Sequence, residues 1–420
     1  MDILAMINLC IRTVSAAVLS PGANFIYVVF IIIIFTQYKK VVRLQEYIYN
    51  KPKTPTSNLV LTSILSGLVA GIVISIPMTL MGITFSQDMG IQYLILISLI
   101  LMFIEPRFIC FSYSGGILSI AGLLFNIKGI DVTGIMILVG MLHLLEAVLI
   151  YIDGYRGAVP VFLQREDGKV VGGFTMQRFW PIPIALVMFV GFSSAKSGAS
   201  ISTPDWWPVI KPFMDPSNIK NALFQAFPVS AILGYSEFTS SCLPREKCRK
   251  SAIRLMIFSV MLLSIAISSS YVYALKYVAA LFAPFAHEYL IEHERKSERN
   301  KGSIFSAPPL GIRVLDTIPG GPAEMMGIKS GDTILSINNR TIVTEEGMNC
   351  FFNDFVTFIW VDVKGIDGRI RTLEYKDYKN GIDGLGILTV PKSTDGLVTI
   401  REQKSFVKRI YDRLKNKPDV

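Results

Sequence analysis

Two of the three histidines in the chain, His287 and His293, fall in the stretch FAHEYLIEHERK (285–296), together with Glu288, Glu292 and Glu294. Histidine followed directly by glutamate opens the H-E-x-x-H zinc motif, in which two imidazoles one turn apart hold the metal and the glutamate acts as general base. Here the second ligand is missing. Ile291 stands at the required position, and the inverted order H-x-x-E-H would need a histidine where Tyr289 stands. His293 follows His287 by six residues, roughly 600° of helical rotation, which leaves the two about 120° apart. The stretch therefore reads as the polar exit of an apolar segment, and no metal-binding or catalytic residue is expected in it.

The third histidine lies in MLHLLEAVLIYIDGYRG, where His143, Glu146 and Asp153 follow at spacings that place them on one helix face. Ionisable groups inside an apolar segment are costly and persist where they are paired or used. The three are expected to form an intramembrane polar cluster with Arg107 or Arg178 as partner, or else to handle protons or ions. With no further histidine inside an apolar segment, neither a metal nor any other cofactor is expected. A serine hydrolase is not supported either: the chain has no G-x-S-x-G, and the serine-rich 193–203 has no histidine nearby.

The segments that carry these residues belong to a membrane protein. Hydrophobic residues make up 51% of the chain and charged residues 17%, against about a quarter charged in ordinary soluble domains. Residues 58–151 hold almost no charge, whereas 288–420 have a soluble composition. Residues 1–22, interrupted by Arg12 and then Ser20-Pro21-Gly22, read as an interfacial or re-entrant helix and not as a signal peptide. A membrane domain of about eight or nine helices is expected over 23–287, with spans near 23–37, 58–83, 91–105, 108–126, 131–151, 179–194, 219–238, 253–270 and 271–287. The last two form one apolar run that must turn near Ser268-Ser269-Ser270. The five cysteines form no C-x-x-C pair and support neither a disulfide framework nor a zinc ribbon.

Charge fixes the expected sidedness. Basic residues gather in 38–57 (Lys39, Lys40, Arg43, Lys51, Lys53), in 152–178 (Arg156, Arg165, Lys169, Arg178) and in 239–252 (Arg245, Lys247, Arg249, Lys250). They gather again after 287 (Arg295, Lys296, Arg299, Lys301). With Arg107 counted as an inner turn, two spans separate neighbouring members of this set. All of them, and the C-terminal domain, are therefore expected on the cytoplasmic side. The net charge of +9 suits anionic headgroups, and no nucleic-acid partner is indicated. Trp206-Trp207 reads as an outer interfacial anchor.

After a charged linker (288–303), the chain reads GIRVLDTIPGGPAEMMGIKSGDTILSINNRTI from Gly311. A strand at Ile312–Leu315 enters a Pro-Gly-Gly-Pro turn. A short helix (Ala323–Met326) ends at Gly327, and Gly331-Asp332 leads into a strand at Thr333–Ile337. A helix over 344–356 and strands near 357–363 and 369–375 follow. Residues 304–392 resemble a PDZ domain, a small α+β module that binds an extended peptide at a sheet edge and its terminal carboxylate on backbone N–H groups. Leu310-Gly311-Ile312 and Gly384-Leu385-Gly386-Ile387 are both candidates for that carboxylate loop. The second lies at the C-terminal end, where it belongs in the circularly permuted bacterial form found in site-2-type proteases, and is the expected carboxylate loop. Met348 and Phe352 of the 344–356 helix would then line the groove.

In the basic tail, 393–420, Phe406, Ile410 and Leu414 recur every fourth residue among lysines and arginines. It reads either as an amphipathic helix on anionic lipid or as a solvated helix.

Taken with the span layout and the PDZ segment, the stretches HLLEAVLIYIDGYRGAVPVF (143–162), KVVGGFTMQRFWPIPI (169–184) and FAHEYLIEHERK resemble the MinJ-type cell-division topological determinants of Gram-positive bacteria. The resemblance implies a non-enzymatic membrane scaffold whose partners are the lipid bilayer and, through the groove, division proteins. It implies a link between a DivIVA-like scaffold and a MinD-like ATPase, at septa or cell poles. Two alternatives stay open: a site-2-type metalloprotease homologue that has lost or altered its zinc site, and an ion-handling protein with a regulatory PDZ domain.

Overall fold

The computed structural model describes residues 3–20, 24–86, 90–127, 129–165, 170–192, 207, 222–392 and 399–401. Helices α1 (Ile3–Leu19), α2 (Asn24–Tyr49) and α3 (Thr56–Leu80) are followed by a short strand β1 (Thr84–Ser86). Then come α4 (Ile91–Ile104), a 3-10 turn (Pro106–Ile109), α5 (Phe111–Leu124) and α6 (Val132–Asp153). Strands β2 (Val159–Gln164), β3 (Val170–Phe192) and β4 (Ala222–Thr239) precede two long helices, α7 (Pro244–Ser268) and α8 (Ala274–Asn300). Among the described residues, four helices are long and apolar enough to cross a membrane: Phe25–Tyr49 of α2, α3, α6 and α7.

The polarity of α3 is that of a helix in lipid. Leu61, Leu65, Val69 and Val73, four residues apart, are exposed. The opposite stripe, Ser63, Gly67, Gly71, Ser75 and Thr79, is buried. Small residues at that spacing let another backbone approach the helix closely, and what approaches is β3. Four helical residues rise about 6 Å and two strand residues about 6.6 Å, so the two repeats stay in step. Gly67 meets the Pro181 carbonyl and Gly71 the Pro183 carbonyl, each so closely that a Cβ would lie 2.1 and 2.0 Å from the oxygen.

This seam corrects the expectation of helical spans at 179–194 and 219–238. The described parts of those segments belong to β3 and β4, an antiparallel hairpin paired from Phe174↔Thr239 to Phe192↔Ala222. Away from water, each unpaired N–H on a strand edge is expensive, and the β3 edge facing α3 leaves none. Phe179 N donates to Tyr38 Oη (3.1 Å) and Ala185 N to Ser75 Oγ (2.9 Å). Between them Pro181 and Pro183 have no N–H to satisfy. Beyond this stretch β1 pairs with β3 in parallel, Thr84↔Val187, and before it β2 pairs with β3 antiparallel. β11 (Thr399–Arg401) adds to β2.

The hairpin carries the chain to the far end of α3 and back, as two spans would. The basic segments therefore still collect at one end, and the C-terminal domain docks there. Tyr49 Oη and Lys53 Nζ donate to Asp316 (2.5 and 3.2 Å), Gly172 N to Phe305 O (2.8 Å), and Arg165 Nη2 to Lys301 O (3.0 Å). Glu298 accepts from the backbone N–H groups of Ser240 and Ser241, both at 2.7 Å. At the opposite end Trp207 is buried, its Nε1 donating to Thr79 O at 2.8 Å and its ring packed on Phe224. Trp207 is thus a packing residue and not an exposed anchor; Trp206 and the tail 402–420 lie outside the described residues.

The apolar run after Pro244 breaks where the serines stand, α7 ending at Ser268 and α8 starting at Ala274. α8 then continues through the charged segment to Asn300, so residues 288–300 are a packed helix. Glu294 is buried and accepts from Lys247 Nζ (3.0 Å) and Ser251 Oγ (2.7 Å). Burial acts to raise its carboxyl pKa, but the Lys247 charge and these hydrogen bonds outweigh it and hold the carboxyl below its ordinary range.

The C-terminal domain contains β5 (Ile312–Thr317), α9 (Pro322–Met326), β6 (Thr333–Ile337), β7 (Arg340–Thr341) and α10 (Glu345–Phe351). It closes with β8 (Phe358–Lys364), β9 (Ile370–Lys376) and β10 (Ile387–Thr389). Its sheet runs β10-β5-β6-β8-β9, with β7 on β6. Alternation on β8 buries Ile359, Val361 and Val363 against Ile334, Ile337 and Ala323. Gly327 ends α9 at φ +81°, the left-handed cap its position calls for. α10 is capped by Thr344, whose hydroxyl accepts from Gly347 N, and stops at Phe351, short of the expected 356. Its last turn closes with Phe352 N donating to Asn349 O and Asn353 N to Cys350 O, at 3.0 and 3.4 Å.

Candidate functional site

Two places hold the residues singled out in the sequence: the edge of the C-terminal sheet, and the packed contact between α5, α6 and α8.

At the sheet edge, β10 pairs with β5 antiparallel, Ile387↔Thr317, and no described strand lies on its other side. The preceding loop is pinned by its carbonyls: Leu385 O accepts from Ala323 N and Gly386 O from Ile318 N, both at 2.8 Å. Gly386 has φ +70°, a conformation suited to glycine. The Leu385 and Gly386 N–H groups find no acceptor among the described residues. Glu345, at the start of α10, accepts from Thr389 Oγ1 of β10 at 2.8 Å, which sets α10 across from the strand. Of the side chains named for the groove, Leu385, Met348 and Phe352 are buried in the domain core, and Ile387 is partly buried. The first three shape the floor from beneath and offer little surface of their own.

Of the three residues expected to cluster on α6, Asp153 separates from His143 and Glu146. Ten positions separate Asp153 from His143, about 15 Å of helix, and Asp153 finds its own partners. Asp153 (2% exposed) accepts from Arg178 (0% exposed) through Nε at 3.0 Å and through Nη2, and from Trp180 Nε1 at 2.9 Å. Of the two arginines considered, Arg178 is the partner of Asp153. Arg107 instead pairs with Glu288 (2.9 Å) and Glu292 (3.3 Å) on α8. The Arg178 guanidinium also lies over the Tyr38 ring, 5.6 Å from its centroid.

His143 faces residues that no local spacing connects to it. Its Nε2 is 3.0 Å from Cys110 Sγ and 3.2 Å from Ser112 Oγ. His287 Nε2 is 3.7 Å from the same sulfur, and the two rings are 5.2 Å apart. Cys110 precedes α5, His143 is mid-α6 and His287 lies on α8. Glu146 sits within electrostatic reach of His143 and Cys110. His287 is 9% exposed, so the expectation that FAHEYLIEHERK is only a polar exit fails at this residue. The missing signal was tertiary, since the helix bearing His287 packs on α5 and α6. His293 points elsewhere and stacks on Tyr289. Glu288, which follows His287, accepts from Tyr113 Oη at 2.7 Å and pairs with Arg107.

A family model for the PDZ domain matches residues 296–349, and the α+β domain after α8 is a PDZ domain. The match ends inside α10, so the loop at 384–387 rests on its geometry. The chain is also similar to the cell division topological determinant MinJ of Bacillus subtilis (strain 168), 22% identical over 256 residues. The aligned region covers 61% of this chain and 61% of that protein, so the chain spans under two thirds of the length of the relative it matches.

Proposed function

We propose that the chain is a non-enzymatic membrane adaptor of bacterial cell division. Its apolar helices hold it in the bilayer, and its PDZ groove recruits a division protein at the cytoplasmic face. The observation that carries this reading is the seating of the PDZ domain on the basic end of the helical domain, through Asp316 with Tyr49 and Lys53 and through Glu298 with Ser240 and Ser241. A groove fixed beside the membrane raises the effective concentration of any partner that is also membrane-bound. The convergence of the basic segments on that end supports a cytoplasmic orientation, and the similarity to MinJ supports the division role. In its finer form, the protein links a DivIVA-like scaffold to a MinD-like ATPase at septa or cell poles. The groove is the permuted type, with Gly384–Ile387 as the carboxylate loop and β10 as the strand to which the peptide is added. The engagement of Glu288 with Arg107 and Tyr113 argues against its use as a catalytic base.

The test is in-cell crosslinking followed by purification of the full-length protein. Gly386→Glu puts a side chain on a left-handed residue and a negative charge where the carboxylate docks. The wild type should recover both the DivIVA-like and the MinD-like protein. The variant should lose at least one of them by on the order of tenfold while its membrane fraction is unchanged. Equal recovery of both from the variant would refute the groove assignment.

A further inference from the structure

We propose that Cys110, His143 and His287 form a buried site for a divalent transition-metal ion of the zinc type. The three donor atoms lie within 4.8 Å of one another, and they come from three separate elements. Zinc holds nitrogen at about 2.0–2.1 Å and sulfur at about 2.3 Å, so tetrahedral ligands stand roughly 3.3–3.6 Å apart. The Sγ–Nε2 separations of 3.0 and 3.7 Å bracket that spacing.

The imidazoles are already oriented for a metal. His143 Nδ1–H donates to Val139 O at 2.7 Å. His287 Nδ1 lies 3.4 Å from Tyr113 Oη, and that hydroxyl donates its hydrogen bond to Glu288 at 2.7 Å, which leaves its oxygen to accept from Nδ1–H. Both Nδ1 atoms are thus donors, and both Nε2 lone pairs face the sulfur. An outer partner that fixes the tautomer of a histidine is the usual support of a metal ligand. Two inward lone pairs meet one thiol proton, and the other donor in reach is the Ser112 hydroxyl, 3.2 Å from His143 Nε2. A cation satisfies both nitrogens and the thiolate together.

The surroundings suit such an ion. The Phe258 ring lies 5.5 Å from His143 and 5.6 Å from His287, and stacks on Phe282, walling the site with apolar surface. The Cys110 thiolate and the nearby Glu146 carboxylate offset a double positive charge where an unbalanced ion would be costly. One sulfur and two imidazoles favour zinc-like ions over calcium or magnesium, which take oxygen ligands. Bound there, the ion ties the start of α5, the middle of α6 and α8 into one unit, and α8 leads directly to the PDZ domain. The site is independent of what the groove binds.

The experiment uses full-length protein in detergent, freed of its tag and stripped with chelator, then titrated with cobalt(II) and displaced by zinc. The result expected is one cobalt per chain with a thiolate-to-cobalt charge-transfer band. In Cys110→Ser, nearly isosteric with the wild type, the band should vanish and affinity fall by about 100-fold or more. His293→Ala, on another helix face, should bind as the wild type does. Absence of cobalt binding by the folded wild type would overturn the site in favour of a hydrogen-bonded thiol and imidazole pair. A charge-transfer band that survives Cys110→Ser, or a spectrum without thiolate character, would overturn it as well.

Discussion

Asp153→Ala is expected to destabilise the protein by about 3–5 kcal/mol, the cost of leaving a buried charge without its partner. Arg178 is 0% exposed and Asp153 2% exposed, so water does not replace the lost carboxylate. The loss propagates, because Asp153 closes α6 while Arg178 and Trp180 sit on β3. The same carboxylate oxygen accepts from both. In the double variant Asp153→Leu, Arg178→Met most of the stability should return, since replacing a buried pair with apolar side chains is often neutral. The shortfall should be about 1–3 kcal/mol, for the Trp180 indole N–H left without an acceptor. Chemical or thermal unfolding of the purified protein in detergent reads both values. A single-variant loss under about 1 kcal/mol would mean that Arg178 is solvated.

Gly71→Ala should lower stability by about 3 kcal/mol or more, beyond the usual range for inserting a methyl group into a packed core. The added Cβ would stand 2.0 Å from the Pro183 carbonyl oxygen, and a backbone atom cannot rotate away. The sign is decisive, because on an unpacked helix the same change is favourable by about 1 kcal/mol. Gly67→Ala meets the Pro181 carbonyl and should behave alike. Gly→Ala variants as stable as the wild type would show that α3 and β3 do not pack along this stripe. The same unfolding assay checks this.

These two predictions rest on the part of the fold that was hardest to read. The PDZ domain is legible because its turns are written in residues with local backbone demands, such as Pro-Gly-Gly-Pro and Gly327, and its strands alternate. The grouping of the basic segments at one end is legible too, because a hairpin returns the chain to its starting end just as two helices would. The hairpin itself is hidden by composition, since a buried strand and a buried helix are both continuous apolar runs. Two local signals distinguish them in hindsight. Two prolines at alternate positions in WPIPI would each remove a helical hydrogen bond and crowd the preceding turn, at a cost of about 3 kcal/mol apiece, and the four-residue repeat of small residues in α3 announces a close neighbour. The candidate metal site was legible only in part. His143 stands out as an ionisable group in an apolar helix. Cys110 joins it across 33 residues of sequence, and His287 joins Cys110 across 177, where motif spacing carries no information. Spacing within one helix correctly separates His287 from His293 but says nothing about packing between helices. Asp153 shares a helix with His143, yet axial rise puts it beside Arg178.

The central claim is that this membrane protein works as an adaptor at sites of division, and localisation tests it most directly. A fluorescent fusion of the full-length protein, imaged in dividing cells of its own organism, is predicted to concentrate at septa or poles. An even distribution around the membrane throughout division would contradict the account.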